Sequence, residues 1–332
     1  MPSVPNTADD DSPRSEPVLA AAERAAAVAR PSPFRLVRGI VRTMRPHQWV
    51  KNVFVLAPVV FAKDLFVWNL LLRAGGAFLV FCFLAAAVYT INDVVDAPAD
   101  RVHPLKRYRP IASGVVPIPM AKVLAVGFFL VAMGGALFEP PLFALVGLLY
   151  FIQNLAYSFK LKKIAYADVA CIALGFVLRV VAGGLATGIQ VSAYLLACTL
   201  LLALFLGFGK RSHELNAVAL SISKKQRAAL EAYTAEALGR ALVITGGASI
   251  AAYILYTLDP DTRQMFHSDW LWLTAVNPVL GMLRFLHLVR TRPKAESPTQ
   301  EMLRDTPFMV NLLVWVIVVV VIVYELRPAI GH

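Results

Sequence analysis

Four oxygen-bearing side chains stand close together at Asn92, Asp93, Asp96 and Asp100, in the order N-D-x-x-D-x-x-x-D. On a helix, positions 93, 96 and 100 fall at i, i+3 and i+7 and share one face. Three carboxylates on one face repel one another, so the cluster calls for a cation. Oxygen-only ligands suit a hard divalent ion, most naturally Mg²⁺ carrying substrate phosphates. The surrounding stretch, YTINDVVDAPADRVHPLKRYRPIASG at 89–114, also supplies Arg101, Lys106, Arg107 and Arg109, a second and direct way to hold phosphate oxygens. A helix end with solvated acids and basic topology signals has a similar composition. This cluster, however, closes a long apolar run, where charge is costly and usually functional. Pro98 removes a helical hydrogen bond to the Val94 carbonyl. The expectation is therefore a facing geometry secure for Asp93 and Asp96, with a break in the helix before Asp100.

Three further groups carry chemistry. Tyr157, Lys160, Lys162 and Lys163 precede Asp168 at the end of another apolar run. The lysines suit either topology and headgroup contacts or a phosphate clamp facing the acids, and Tyr157 either a substrate oxygen or the interfacial aromatic belt. Asp168 and Arg179 are eleven residues apart, which on a helix is nearly three turns, on one face and about 16 Å apart. An arginine inside a spanning helix faces a cavity or a partner, so an ion pair with another helix and a substrate contact both stay open. Lys210, Arg211 and Glu214 lie in GFGKRSHELN at 207–216, a candidate anion-and-metal loop. Lys51 and Asn52 follow Arg45 and Trp49 and sit inside the start of an apolar run rather than before it.

The elements that must position these groups are membrane helices. The chain has 332 residues, 58% hydrophobic and 16% charged, with mean hydropathy +0.64, a balance that fits a polytopic membrane protein. A net charge of +11 alone would suit nucleic acid. The basic residues lie between apolar runs, where the positive-inside rule explains them, so no nucleic-acid partner is expected. Cys82, Cys171 and Cys198 are scattered through apolar segments, and the six histidines show no metal-ligand spacing. Nine segments are long and apolar enough to be read as spanning helices: Trp49–Phe66, Leu70–Ile91, Ala121–Phe138, Leu142–Phe159, Ile164–Ala186, Val191–Phe208, Ala241–Leu258, Trp270–Leu288 and Phe308–Tyr324. The runs are continuous rather than alternating, which excludes strands. The first is the weakest, because Lys51, Asn52, Lys63 and Asp64 shorten its clean core.

With the N-terminus in the cytoplasm, 27 of the 32 lysines and arginines fall inside. That asymmetry predicts a cytoplasmic site and, with nine spans, an outside C-terminus. Residues 1–33 read as a disordered tail, and 34–332 as one nine-helix all-α domain. A surface amphipathic helix is expected over Ser223–Leu238, and the Gly75-Gly76, Gly183-Gly184 and Gly246-Gly247 pairs as points of close helix packing. The reading leaves a homo-oligomer open.

Nine helices with N-D-x-x-D-x-x-x-D closing the second resemble the UbiA superfamily of intramembrane prenyltransferases. RPHQWVKN at 45–52, the stretch at 92–114, YSFKLKKIAYADV from 157 and GFVLRVVAGG ending at 184 are similar to the decaprenyl-phosphate phosphoribosyltransferase branch. The likeness runs over about residues 40–326. Aromatic prenyltransferases of the superfamily carry a second aspartate-rich motif after helix six, which binds more Mg²⁺ on prenyl diphosphate. Here Gly-Lys-Arg-Ser-His-Glu stands in that place, at 209–214. Cations in place of acids favour a donor with an additional phosphate. The resemblance therefore implies transfer of 5-phosphoribose from phosphoribosyl pyrophosphate to a polyprenyl phosphate, with Mg²⁺ on the aspartate motif. It implies a product that serves cell-wall arabinan synthesis. An aromatic or haem prenyltransferase is the nearest rival, and a transporter is the rival from another class.

Overall fold

The computed structural model describes residues 32–62, 67–219, 228–292 and 301–322. These contain helices and turns and no strand. The order is α1 (Pro33–Met44), a 3₁₀ stretch (Pro46–Leu56) running into α2 (Ala57–Phe61), α3 (Trp68–Arg101), α4 (Ile118–Ala136), α5 (Pro141–Phe159), α6 (Ala167–Thr187), α7 (Ala193–Ala219), α8 (Ala235–Leu258), α9 (Pro260–Phe266), α10 (Val276–Thr291) and α11 (Thr306–Val320). Seven helices among the described residues are long and apolar enough to cross a membrane, in place of the nine expected. The two that fall short are the first and the last. The last, α11, has 15 residues.

The first segment fails for a physical reason. Pro46 and Pro58 donate no backbone hydrogen bond, and Lys51 and Asn52 sit between them. The result is an 11-residue 3₁₀ stretch followed by five α-helical residues. In a 3₁₀ helix residues three apart eclipse. Asn52, Val55 and Pro58 are accordingly buried, whereas Val50 and Val53 are exposed on the opposite edge. Irregular backbone of this kind persists at membrane depth only when protein covers it. That cover comes from α6. A Cβ on Gly183 would lie 1.9 Å from the Val55 carbonyl oxygen, so only glycine admits the stretch here. Of the three glycine pairs, Gly183-Gly184 shows the close approach most clearly, although its partners are the 3₁₀ stretch and the Ile189–Val191 turn rather than a regular helix.

Helix α3 has 34 residues, about 51 Å against a hydrocarbon core of about 30 Å, so its polar end projects beyond the apolar layer. It runs unbroken through Pro98 to Arg101, which corrects the expected break before Asp100. Pro98 lies on the exposed side, and the aspartates keep their register. The surface helix expected over Ser223–Leu238 is also corrected. Its described part is a 3₁₀ turn, Ala228–Ala232, followed by the start of α8 at Ala235. The tail expected at 1–33 lies outside the described residues except for its last two positions.

Packing makes Gly183 the test of this architecture. Gly183→Ala should push the 3₁₀ stretch off α6 at a cost of roughly 1–3 kcal/mol. It should read as a lowered Tm in detergent. Gly247→Ala, where a Cβ meets nothing within 4 Å, is the control and should leave Tm unchanged. Equal Tm values for the two variants would remove the packing argument.

Candidate active site

The polar end of α3 carries the acids into a nest of arginines. Asp93 is 3% exposed and accepts a hydrogen bond at 2.5 Å from Arg45 Nη2 and one at 3.3 Å from Arg109 Nη1. The same Arg109 nitrogen donates to Asp100 Oδ2 at 2.7 Å. Arg45 ends α1 in a left-handed conformation, φ 54°, and its guanidinium lies 5.1 Å from the centre of the Tyr89 ring. Arg109 returns through the turn after α3, which Arg101 braces by donating to the Ala112 carbonyl at 3.3 Å. Arg107 is exposed and donates to the Tyr108 hydroxyl, and Lys106 is half-buried in the same turn. Asn92 and Asp96 are half-buried.

The donor chemistry of this group fits Mg²⁺. Among the described residues no three acidic, histidine or cysteine side chains stand together as a metal cage. Mg²⁺, however, is commonly held by one or two carboxylates, with substrate phosphates and water completing the shell. Asp93 and Asp96, one turn apart, offer that arrangement, with Asp100 and Asn92 beside them.

A second group of cations gathers near Lys51 and Arg179. Arg179 is 6% exposed in the middle of α6. Its Nε donates to Asn52 Oδ1 at 2.8 Å, Nη1 to the Gly175 carbonyl at 2.8 Å and Nη2 to the Tyr150 hydroxyl at 2.7 Å. Its faces meet the Tyr150 and Phe176 rings. Every one of these partners is neutral. Asn52 is held in turn through Nδ2, 3.3 Å from Cys82 Sγ. Lys51, next along the 3₁₀ stretch, is exposed and has Lys210, Arg179 and Arg45 as its charged neighbours. Like charges repel, and an anion bound here would relieve that repulsion.

Arg211, adjacent to Lys210, does something different. It is 1% exposed, and its Nε lies 2.6 Å from Asp168 Oδ2 in a close ion pair while its other side meets Glu214. Asp168 is fully buried. Its Oδ1 accepts from the Val169 N–H at 2.8 Å and from the Tyr233 hydroxyl at 2.7 Å. The Tyr233 hydroxyl also accepts from the Tyr166 N–H at 2.7 Å. Burial, and then the bond to Asp168, raises the Tyr233 phenol above its usual value. Tyr166 has φ 63° and ψ −41°, with the Ala167 N–H bonded to the Ala165 carbonyl, a γ-turn of the rare, strained kind. The network therefore pins the start of α6 and the loop bearing exposed Lys160 and half-buried Lys162. Tyr157 is half-buried and lies near Arg211.

Of the residues anticipated from sequence, Lys51, Asn52, Arg179 and Lys210 converge. Asp168, Arg211 and Glu214 also converge, but on one another. Asp168 and Arg179 share a helix and belong to different networks. Arg45, Tyr150 and Tyr233 were not among the anticipated site residues, although Arg45 stands in a quoted motif, and Arg109, anticipated as a phosphate contact, meets Asp93 and Asp100. Tyr150 and Tyr233 carry no local signal, because their partners are 29 and 65 residues away.

Arg211→Ala should leave Asp168 buried without its cation and cost roughly 3–5 kcal/mol, seen as a large drop in Tm. Tyr233→Phe removes one neutral donor and should cost roughly 1 kcal/mol. An Arg211→Ala protein with wild-type Tm and weakened substrate binding would instead place Arg211 in substrate contact.

Comparison with known proteins agrees with this geometry. The UbiA prenyltransferase family matches residues 53–313. Decaprenyl-phosphate phosphoribosyltransferase of Corynebacterium glutamicum is 34% identical over 299 residues, covering 89% of this chain and 90% of that protein. The enzyme of the same name from Mycobacterium tuberculosis is 35% identical over 288 residues, covering 86% and 94%. A UbiA homologue from Archaeoglobus fulgidus, solved with DMAPP and Mg²⁺, superposes with a TM-score of 0.62 at 19% identity, covering 86% of this chain and 99% of that one. A match over most of the chain, on a shared helical fold, leads to one conclusion: the chain belongs to the UbiA prenyltransferase family.

Proposed function

We propose that this protein transfers 5-phosphoribose from phosphoribosyl pyrophosphate to a polyprenyl phosphate, with decaprenyl phosphate the expected acceptor, and releases pyrophosphate. The observation that carries the reading is the grouping of Lys51 with Lys210, Arg179 and Arg45, the last of which also pairs with Asp93. It offers positive charge where a second acidic motif would offer metal ligands. Such a grouping suits a donor with a phosphate besides its diphosphate. The names of the relatives from Corynebacterium and Mycobacterium support the same activity.

When bound at Asp93 and Asp96, Mg²⁺ supplies neutralisation of the charge that builds on the departing diphosphate. Arg45 and Arg109 stand at the same carboxylates and offer donors to the diphosphate oxygens. Lys51 and Lys210 hold the remaining phosphate, and Arg179 adds fixed positive charge behind them. A phosphate oxygen of the acceptor forms the new bond to ribose C1 as the bond from C1 to the diphosphate oxygen breaks. The acceptor is already an anion, so no general base is needed. Lys106, Arg107, Lys160 and Lys162, in the two loops at the same end, are candidates for further phosphate contacts.

The placement of charge supports a membrane orientation with the N-terminus and the site in the cytoplasm and the C-terminus outside. Although broken, the first segment is long enough to cross. Eleven residues at a 3₁₀ rise of about 2.0 Å and five at about 1.5 Å span about 30 Å. A product of this reaction suits synthesis of the arabinan of a cell wall.

Purified protein in detergent, given labelled phosphoribosyl pyrophosphate and polyprenyl phosphate, should move label into the lipid phase. EDTA should abolish the transfer and Mg²⁺ restore it. Asp93→Asn should lose nearly all activity while keeping its membrane insertion. Turnover of prenyl diphosphate with an aromatic acceptor, and none of the phosphoribosyl donor, would select the aromatic prenyltransferase. A second measurement addresses the donor. Lys210→Ala should raise donor KM roughly tenfold, the worth of one charge-assisted hydrogen bond, with acceptor KM unchanged. On a donor lacking the 5-phosphate the same change should cost much less. Equal penalties on both donors would move Lys210 to the diphosphate.

A further inference from the structure

Helix α1 precedes the stretch matched by the family and presents three distinct faces. One is turned to the protein, where Leu36, Ile40 and Met44 pack with Ala97, Ile111 and Phe128 at the polar ends of α3 and α4. Phe34, Val37 and Val41 form the second, an apolar stripe at i, i+3 and i+7 that is 76%, 60% and 48% exposed. The third carries Arg35, Arg38 and Arg42, again at i, i+3 and i+7, about a quarter-turn from the stripe and exposed. None of the three guanidinium groups makes an ion pair with a described residue. Ser32 caps the helix by accepting from the Arg35 N–H, and Pro33 occupies its first turn, so its start is built rather than frayed.

An apolar face and a cationic face side by side, on a helix packed beside the projecting end of a spanning helix, match the boundary between water and lipid. Water alone would leave the stripe unsatisfied, and an apolar partner alone would leave the arginines desolvated without counter-charge. The headgroup layer meets both demands, because acyl chains cover the stripe and anionic phosphates meet the guanidinium groups. We propose that α1 lies in the headgroup layer at the site end of the bundle and that Arg35, Arg38 and Arg42 bind the phosphates of anionic phospholipids.

The test uses the full chain carrying Val37→Cys with a fluorescent probe, reconstituted in vesicles, with the unsubstituted protein as the labelling background. Vesicles are phosphatidylcholine alone or mixed with phosphatidylglycerol, each with phospholipid brominated near the headgroup as quencher. The expected result is strong quenching by bromolipid in the phosphatidylglycerol vesicles, weak in phosphatidylcholine, and reduced in the first by molar KCl. A basic residue near an anionic surface is worth roughly fivefold in partition, so R35Q/R38Q/R42Q should lower the ratio of lipid-facing to water-facing probe by at least about tenfold. If that variant fails to insert, the salt dependence of the Val37→Cys protein decides alone. Equal quenching in both lipids overturns the proposal, because it leaves the arginines without a lipid role. Quenching by aqueous iodide and not by bromolipid also overturns it. Shielding from both quenchers with disulfide formation between two copies at position 37 assigns the face to a second copy of the chain instead.

Discussion

A buried guanidinium whose partners are all neutral governs the interior of this protein. Arg179 donates its hydrogen bonds to an amide oxygen, a phenol oxygen and a backbone carbonyl, and lies among aromatic faces. Such partners satisfy its donors but leave its charge uncancelled. The surroundings are therefore arranged by the charge. Asn52 is drawn in from the 3₁₀ stretch and Tyr150 from α5, and Lys51 and Lys210 add positive charge nearby. Because Arg179, on α6, reaches both α5 and the 3₁₀ stretch, its position and the path of the irregular first segment are one problem with one solution.

Arg211 shows the contrasting use of the same side chain. It is buried as deeply, yet it meets Asp168 and Glu214 and so ends as a closed, charge-matched unit. A closed unit of this type braces structure, and an open one such as Arg179 creates affinity. The adjacent residues Lys210 and Arg211 thus divide between the two roles, since neighbours on a helix point about 100° apart. Tyr233 extends the closed unit to the strained turn at Tyr166, holding the loop that brings Lys160 and Lys162 to the site end.

The aspartate motif and most of the spanning helices were legible in the sequence, because each rests on local pattern. Register within α3 follows from spacing alone, and it held through Pro98, whose missing hydrogen bond falls on the exposed side where loss is cheap. The first segment was legible only as weak. Its composition announced trouble through Lys51 and Asn52, but the 3₁₀ form depends on a groove at Gly183, more than a hundred residues later. Arg179 was read as facing a cavity or a partner, and it meets Asn52 and Tyr150 on two other elements. Arg211 was read as part of a candidate anion-and-metal loop, and nothing near it in sequence reveals that Asp168 will meet it. Local spacing sets a residue's direction on its helix, whereas charge balance is decided by whatever helix arrives opposite.

The broken first segment carries a consequence for biogenesis. Asn52 and Arg179 are 127 residues apart, so the segment leaves the ribosome long before its partner exists. At roughly 5–20 residues per second, about six to twenty-five seconds pass before α6 can receive it. During that interval its polar side chains and its incompletely bonded backbone have no protein cover. An insertion channel would not hold it in the bilayer on hydrophobicity alone. On the membrane orientation proposed above, the segment waits at the channel or the membrane surface and enters late, after α3 to α6 have assembled the groove that accepts it. Seating of Asn52 on Arg179 and completion of that topology are then the same event, and a chain stalled before α6 would have neither.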